Sequence, residues 1–314
     1  MPDLRLVETG LPLDWLAEDS GAADFAAQGI SELARRHKAD LVHLNTPSLA
    51  VANYAQPVVS VVHSCLASWW AAVRNGPLPE DFRWRTQVMA RGIIASEALV
   101  CPSGALAREV ERIYGRRPSV VHNGRAAAEA PGCDARAHLA VTAGRLWDEG
   151  KDIATLDAAA GLTELPILAV GPTTGPNGSW IELRRLQGID ERAAPEVRSL
   201  LASKPIFVTS ALYEPFGLAV LEAAQAGCAL VLSDIPTFRE LWDEAAVFVP
   251  VRDAEGFGQA LSQLAAAPER RALLGAAARE RSQRYTIEAM AAQMLQIYAA
   301  AIARQPRARE GAAA

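Results

Sequence analysis

Short apolar runs recur along the chain, and alanine-rich stretches with helical character lie between them. Strands that are buried on both faces of a parallel sheet have this continuous apolar character. Their alternation with helices indicates βαβ units and doubly wound parallel sheets. The predicted strands cover residues 40–44, 58–62, 98–101, 119–122, 139–142, 167–170, 206–209, 230–232 and 247–249. The clearest predicted helices cover residues 22–36, 81–96 and 105–114.

A stretch rich in glycine, alanine and proline, residues 123–137, separates the strand runs into two groups. We therefore predict a first domain over residues 1–130 and a second over 131–285. Residues 286–314 are expected to form a helix that returns toward the first domain, followed by a disordered tail. Ligands of open parallel sheets bind beyond the carboxyl ends of the strands, so the cleft between the two sheets is the expected site.

Composition narrows the function classes. The 314 residues are 50% hydrophobic and 21% charged, with a formal net charge of −5, which is typical of a globular protein and unfavourable for nucleic-acid binding. The chain shows no cationic segment followed by an apolar one at its start, and no apolar run of about 18 residues. The four cysteines are too far apart in the chain to form a C-x-x-C pair; they are Cys65, Cys101, Cys133 and Cys228. These features predict a soluble, cytoplasmic protein without a metal centre.

The segment 210–227 carries the most chemical information. Glu214 falls in a loop after a predicted strand, and Pro215 and Gly217 interrupt the chain before a helix that opens near Leu218. The free N–H groups and the dipole at such a helix start favour a phosphate. Glu222 lies within the apolar part of that helix, where a carboxylate needs hydrogen-bond donors such as the vicinal hydroxyls of a ribose. Two plainer interpretations stay open: Glu214 is a solvated loop residue, and Glu222 faces water or pairs with an arginine.

The spacing of Glu214 and Glu222 resembles the E-x7-E motif of family 4 ("group 1") glycosyltransferases, which have the GT-B fold. Residues 227–234 are similar to the strand that follows this helix in the family. A second similar element is the loop 144–152, in which Arg145 and Lys151 stand six residues apart. The resemblance extends from residue 40 to about residue 300.

This resemblance implies two Rossmann-like domains facing a cleft, with the acceptor on the first domain and a nucleotide-sugar donor on the second. It implies transfer of a sugar from a nucleotide-diphosphate donor to an acceptor hydroxyl, with retention of configuration and without a metal ion or other cofactor. Arg145 and Lys151 would neutralise the donor phosphates, doing what a metal does in other transferases.

The remaining site residues are also assigned by resemblance. The backbone at Phe216, Gly217 and Leu218 would hold the phosphates and donor sugar, and Glu222 would bind the ribose. Glu214 would contact the sugar near the reacting centre. His63, which closes a predicted strand, would face the donor sugar, although a histidine at a strand end is commonly only a hydrogen-bonded cap.

Smaller features give further expectations. Ser103 is predicted to cap the helix that follows it, and Asn123-Gly124 is predicted to form a turn between the domains. The neighbouring Trp69, Trp70, Arg74 and residues 83–85 suggest either a weak contact with an anionic membrane surface or core tryptophans beside a solvated basic face.

The start of the chain departs from the family pattern. Family 4 enzymes open with a strand, a glycine-rich loop and a helix, whereas residues 4–10 resemble a later strand of the first sheet and no Gly-Gly loop precedes them. We therefore expect the first domain to lack its first βα unit. This motivates an alternative function, a non-catalytic nucleotide-sugar-binding or partner subunit with an incomplete acceptor site.

Overall fold

The computed structural model describes residues 4–12, 15–126, 138–176, 178–189 and 194–304. Its strands are β1 (Val42–Leu44), β2 (Val58–Val61), β3 (Ala98–Cys101), β4 (Ser119–Val120), β5 (Ala140–Ala143), β6 (Ile167–Val170), β7 (Gln187–Ile189), β8 (Ile206–Thr209), β9 (Ala229–Ser233) and β10 (Ala246–Val249). Its helices are α1 (Ser20–Arg36), α2 (Leu66–Val73), α3 (Arg83–Ala95), α4 (Gly104–Tyr114), α5 (Ile153–Ala160), α6 (Ala194–Ala202), α7 (Leu218–Ala226), α8 (Pro236–Trp242), α9 (Ala254–Ala266), α10 (Pro268–Ser282) and α11 (Ile287–Arg304).

The strands form two sheets in which every pairing is parallel. The first sheet has the order β1-β2-β3-β4, and the second has the order β10-β9-β8-β5-β6-β7. This confirms the predicted α/β architecture with two parallel sheets. In the second sheet the chain runs outward from β5 in one direction and from β8 in the other. The junction of β5 and β8 is therefore a topological switch point, where open parallel sheets bind their ligands.

Each sheet is covered by helices because its strands are apolar on both faces. In the second sheet the large buried side chains include Phe207 on β8, Trp242 on α8 and Phe257 on α9. In the first sheet Ile93 of α3 is fully buried in a cluster with Val62, which follows β2, and with Leu99 and Cys101 of β3.

The last helix, α11, packs on the first sheet rather than on the second. Its Ala301 is buried in a cluster with Val59 and Val61 of β2, and Met290 and Ile297 pack against the same cluster. The chain therefore passes from the second sheet back to the first, over the region where the two sheets are connected.

Several sequence expectations can be compared with these elements. Ser103 caps α4 as predicted, accepting a hydrogen bond from the backbone N–H of Leu106 at 3.2 Å. The strand expected over residues 4–10 is wrong: these residues are exposed and belong to no sheet. β7 was not predicted, because Gln187-Gly188-Ile189 has no apolar run. Cys133, most of the 123–137 connector and the tail beyond residue 304 lie outside the described residues.

Within the described ranges, no helix combines the length and the apolar character needed to cross a bilayer.

Candidate functional site

The loop after β5 is shaped by close backbone packing. Gly171, at the end of β6, adopts a φ of 137°, and a Cβ there would lie 1.9 Å from the carbonyl oxygen of Gly144. Only glycine fits this approach. The loop continues into a short 3₁₀ turn, Glu149–Lys151, which Asp148 caps by accepting from the N–H of Gly150 at 2.9 Å. These contacts fix the positions of Arg145 and Lys151.

The loop after β8 is tied to the same turn. The hydroxyl of Ser210 donates to the carbonyl oxygens of Lys151 and Asp152, at 3.1 and 2.7 Å. The N–H of Leu212 donates to the carbonyl of Gly150 at 2.9 Å. The two loops of the switch point therefore form one hydrogen-bonded unit.

Helix α7 begins directly after this loop. Gly217 stands at its N-cap with a φ of 92°, and Phe216 is buried. No side chain caps the helix start, and residues 216–219 line the cleft, so the N–H groups of the first turn lie beside it. A nine-residue helix with an uncapped start at a switch point is a favourable place for an anion.

Lys151 and Glu214 meet across the two loops. The Lys151 ammonium contacts Oε2 of Glu214, and the two side chains are only 20% and 17% exposed. Glu214 is thus not a solvated loop residue. Arg145 is more exposed: it donates to Asp148 at 3.0 Å and lies over the ring of Trp147. The Arg145 side chain is 64% exposed, whereas that of Lys151 is largely buried.

The first sheet contributes His63 to the site. It follows β2, and its Nε2 lies 3.3 Å from Oδ1 of Asn45. Although the ring faces open space, the surrounding protein atoms reduce its hydration and, together with the nearby His43, lower its pKa. A lowered pKa favours the neutral imidazole at pH 7.

These groups line a single cleft between the two sheets, with a volume of about 570 Å³. The structure thereby brings together all of the residues selected from the sequence except Glu222: His63, Arg145, Lys151, Glu214, Phe216, Gly217 and Leu218. Asn123 also lines the cleft. Gly124 is more than a turn residue, since a Cβ there would lie 2.0 Å from the carbonyl oxygen of Thr286.

Glu222 is engaged elsewhere on α7. Its Oε1 lies 2.8 Å from Nε of Arg125, and the carboxylate is 22% exposed. Of the interpretations left open by the sequence, pairing with an arginine is the one seen. Burial raises the pKa of Glu222, while the charges of Arg125 and Arg198 lower it.

Side chains to which the sequence gave no part in the site join the two domains around the cleft. The hydroxyl of Tyr213 lies 2.7 Å from Oγ of Ser68 at the start of α2. On the same helix, the indole N–H of Trp69 donates to Asp148 at 3.3 Å. In the sequence Tyr213 is next to Glu214, and Asp148 lies between Arg145 and Lys151. This closeness to predicted site residues is the signal by which Tyr213 and Asp148 could have been found.

Two further contacts also cross between the domains. Arg74 pairs with Glu149 at 2.6 Å, so neither Trp69 nor Arg74 is part of a core or of a purely solvated face. On the other side, Glu240 of α8 accepts from the N–H groups of Gly104 and Ala105 at the start of α4, at 2.7 and 2.6 Å. A second-domain carboxylate thus caps a first-domain helix.

Among the described residues, no group of three or more His, Cys, Asp or Glu side chains is arranged to hold a metal ion. The charged groups that line the cleft include the cations Arg145 and Lys151 and the carboxylates of Asp148 and Glu214.

Comparison with known proteins adds family information to this geometry. Residues 5–128 match the family model described as Glycosyltransferase Family 4, and residues 189–281 match that of glycosyl transferases group 1. A D-inositol 3-phosphate glycosyltransferase of Saccharomonospora viridis is 28% identical over 295 residues, covering 81% of this chain and 67% of that protein. A glycogen synthase of Mycobacterium tuberculosis is 28% identical over 310 residues, covering 88% and 72%.

Solved structures show the same fold. Sucrose-phosphate synthase from Thermosynechococcus elongatus superposes with a TM-score of 0.75 at 20% identity, over 91% of this chain and 79% of that chain. HepE from Anabaena, in complex with UDP-glucose, gives a TM-score of 0.73 at 16% identity, over 88% and 82%.

Two parallel-sheet domains with a cleft at a switch point define the GT-B class of glycosyltransferase fold. Within that class, the chain belongs to glycosyltransferase family 4, the group 1 transferases.

Proposed function

We propose that this protein is a retaining glycosyltransferase that moves a sugar from a nucleotide-diphosphate donor to an acceptor hydroxyl without a metal ion. The observation that carries the proposal is the switch-point cleft. It joins two cations, Arg145 and Lys151, to the uncapped start of α7, and places Glu214 and His63 beside them. This is the combination that a diphosphate attached to a sugar requires.

In this proposal the diphosphate lies at the start of α7, where the N–H groups at residues 216–218 face it. An ammonium has three donor protons, so Lys151 keeps one on Glu214 and turns another to the phosphate. Arg145 reaches the same phosphates from its exposed position. Both cations stabilise the charge that develops on the leaving diphosphate.

The sugar then lies between Glu214 and His63. Glu214 accepts hydrogen bonds from its hydroxyls, and the neutral imidazole of His63 faces the anomeric carbon. The acceptor oxygen attacks that carbon from the side of the leaving group, forming the new C–O bond as the bond to phosphate breaks. The bonding electron pair goes to the phosphate oxygen, which also takes the acceptor's hydroxyl proton.

The relatives support this class of substrates. The names of two relatives indicate transfer to inositol 3-phosphate and to glycogen, and HepE was solved with UDP-glucose. UDP-glucose is therefore the first donor to test, followed by sugars linked to GDP and ADP, with inositol 3-phosphate and glycogen as the first acceptors.

The test measures acceptor-dependent release of nucleoside diphosphate in the presence of EDTA, and determines the anomeric configuration of the product by NMR. We expect turnover with retention. Lys151→Met should lower kcat by about 10²–10³-fold, the usual effect of removing one preorganised charge donor. Lys38→Met, at an exposed lysine of the first domain, is the matched control.

Loss of turnover in EDTA that returns with added magnesium would contradict metal independence, and an inverted product would contradict retention. Nucleotide binding without turnover for any donor–acceptor pair would favour a non-catalytic binding subunit. Near-normal turnover in Lys151→Met would show that the cations of the cleft have another role.

A further inference from the structure

One indole of the first domain packs against the loop that carries Arg145 and Lys151. The N–H of Trp69, on α2, donates to Oδ1 of Asp148 at 3.3 Å. Gly150 leaves the space for this approach, because a Cβ there would lie 2.8 Å from Nε1 of Trp69. The contact is thus close packing as well as a hydrogen bond, and it holds α2 against the loop.

Both carboxylate oxygens of Asp148 accept hydrogen bonds in this loop. Oδ1 accepts from the indole of Trp69 and from the N–H of Gly150, the latter at 2.9 Å. Oδ2 accepts from Nη2 of Arg145 at 3.0 Å. The carboxylate is only 13% exposed, whereas the side chain of Arg145 is 64% exposed. A first-domain indole and the exposed cation of the cleft are therefore bound to different oxygens of one carboxylate.

The end of α2 is held on the second domain by two further contacts. Arg74, the residue after α2, pairs with Glu149 of the same loop at 2.6 Å. Arg252, in the loop after β10, donates to the carbonyl oxygen of Val73 at 2.9 Å. Helix α2 is therefore fixed to the second domain from its middle to its end, so the indole of Trp69 has a defined place beside Asp148.

We propose that Trp69 is a positioning residue for the donor diphosphate: its indole fixes the carboxylate of Asp148, and Asp148 holds Arg145 where it meets the phosphates. This inference rests on the proposed function. All three side chains line the cleft, so this series of contacts ends at the donor site. The placement of a second-domain cation thereby depends on how the first domain lies against it.

The physical argument concerns the orientation of the carboxylate of Asp148. A terminal carboxylate turns easily about its last bond, and two donors on Oδ1 restrict that rotation. Oδ2 is then presented to Arg145 in one direction. A guanidinium has five N–H donors, and the contact with Asp148 engages one nitrogen, so donors remain for phosphate oxygens. Without the indole, more of the orientational freedom of Arg145 is lost only when the diphosphate binds, which weakens binding.

The experiment measures, on the full chain, how much the second phosphate adds to nucleotide affinity. Isothermal titration with UDP, GDP and ADP identifies the nucleoside diphosphate that binds most tightly. The Kd of the corresponding monophosphate divided by the Kd of this diphosphate is the diphosphate preference. Trp69→Phe keeps an aromatic ring and removes the N–H donor. We expect this variant to lower the diphosphate preference about 2–10-fold, which corresponds to one hydrogen bond of ordinary strength.

Trp70→Phe is the matched control, because this neighbouring indole on α2 donates to the carbonyl of Gly76, within the first domain. It should leave the diphosphate preference unchanged. Arg145→Met should lower the preference roughly 10–100-fold, as the loss of a hydrogen bond from a charged group does. In the Arg145→Met background, Trp69→Phe should have no further effect, because the indole acts on the phosphates through Arg145.

The outcomes that contradict the inference are distinguishable from one another. The same diphosphate preference in Trp69→Phe and Trp70→Phe, with a loss in Arg145→Met, would overturn the role of Trp69 alone. An equal loss on Trp69→Phe with and without Arg145 would show that the indole contacts the nucleotide directly, which would overturn its positioning role. An unchanged preference in Arg145→Met, or binding of none of the three nucleotides, would overturn the donor site itself.

Discussion

On the second-domain side of the cleft, hydrogen bonds to backbone groups and close backbone packing hold the site loops in place. The loops after β5 and β8 are joined by Ser210 and by the N–H of Leu212, and Gly171 and Gly217 occupy conformations that suit glycine. On the first-domain side, the cleft is formed by separate side chains. His63 stands at a strand end, and Ser68 and Trp69 stand on α2.

The two sides of the cleft should therefore differ in how well they tolerate substitution. The loops after β5 and β8 hold each other in place through the hydrogen bonds of Ser210 and Leu212. Single side chains on a helix can be replaced one at a time. We therefore expect substitution of a closely packed glycine on the second-domain side to act through the fold, and substitution of a single side chain to have a smaller, local effect.

Gly171→Ala should destabilise the protein more than any other substitution considered below. The new Cβ would lie 1.9 Å from the carbonyl oxygen of Gly144, at a φ of 137°. Strain and overpacking together should cost about 3 kcal/mol or more of the free energy of unfolding. Chemical denaturation followed by circular dichroism measures this. Gly76→Ala, also at positive φ but with no atom within 4 Å of the added Cβ, is the control and should cost only about 1–2 kcal/mol. Equal losses of stability in the two variants would contradict the close packing of Gly171 against the carbonyl of Gly144.

Glu240→Gln tests the carboxylate of α8 that caps α4. Replacing a half-buried carboxylate that accepts two backbone N–H bonds should cost about 1–3 kcal/mol at pH 7. Despite the opposing effect of burial, the hydrogen bonds from His122 and from those N–H groups hold the pKa of Glu240 below its usual 4.5. A lowered pKa contributes stability above pH 4.5, and this stability is lost as pH falls through the folded-state value.

Denaturation of wild type and Glu240→Gln across pH checks this prediction. The stability difference between them should be full at pH 7 and shrink on acidification below pH 4.5. A difference that is constant over this range would show that the carboxylate charge is not what caps α4.

Tyr213→Phe addresses a contact that crosses the cleft. The substitution removes the hydroxyl that lies 2.7 Å from Oγ of Ser68, and should cost about 1 kcal/mol. Thermal unfolding provides the measurement. Ser68→Ala should produce a loss of similar size, and the double variant should lose less than the sum of the two single variants. Strict additivity would mean that the two hydroxyls do not interact.

The smallest effect is expected for Arg74→Ala, which breaks the pair with Glu149. Both side chains are almost half exposed, and pairs of this kind contribute about 0.2–1 kcal/mol. The loss should diminish at high salt because exposed charges are screened. Measuring stability at low and high ionic strength distinguishes this result from a salt-independent loss, which would indicate packing by the arginine stem.

The sheets were predictable because their strands are continuous apolar runs, and β7 was missed because its three residues lack one. Residues 4–10 looked like a strand, but they pair with no strand and remain exposed. The site loops were predictable because 144–152 and 210–217 carry local signals: glycines, a proline and paired charges. The placement of both loops at one switch point depends on strand order, which the sequence does not encode locally.

Contacts across the domains were not predictable in the same way. Arg125 and Glu222 are far apart in the chain, as are Glu240 and Gly104, and nothing in either local sequence marks its partner. The position of Glu222 in an apolar helix indicates that its carboxylate has a hydrogen-bonding partner. Both an arginine and a ribose can donate the hydrogen bonds that it needs. Only the positions of the connector and of α8 in the folded chain identify which groups meet.

The most direct test of the donor site is amide hydrogen exchange of the full chain with and without UDP, GDP or ADP. We expect the nucleotide that binds to slow exchange most strongly around residues 216–220 and in the loop 144–152, with a smaller effect near His63. Slowed exchange confined to the first domain, with residues 216–220 unchanged, would contradict a donor site built on the start of α7.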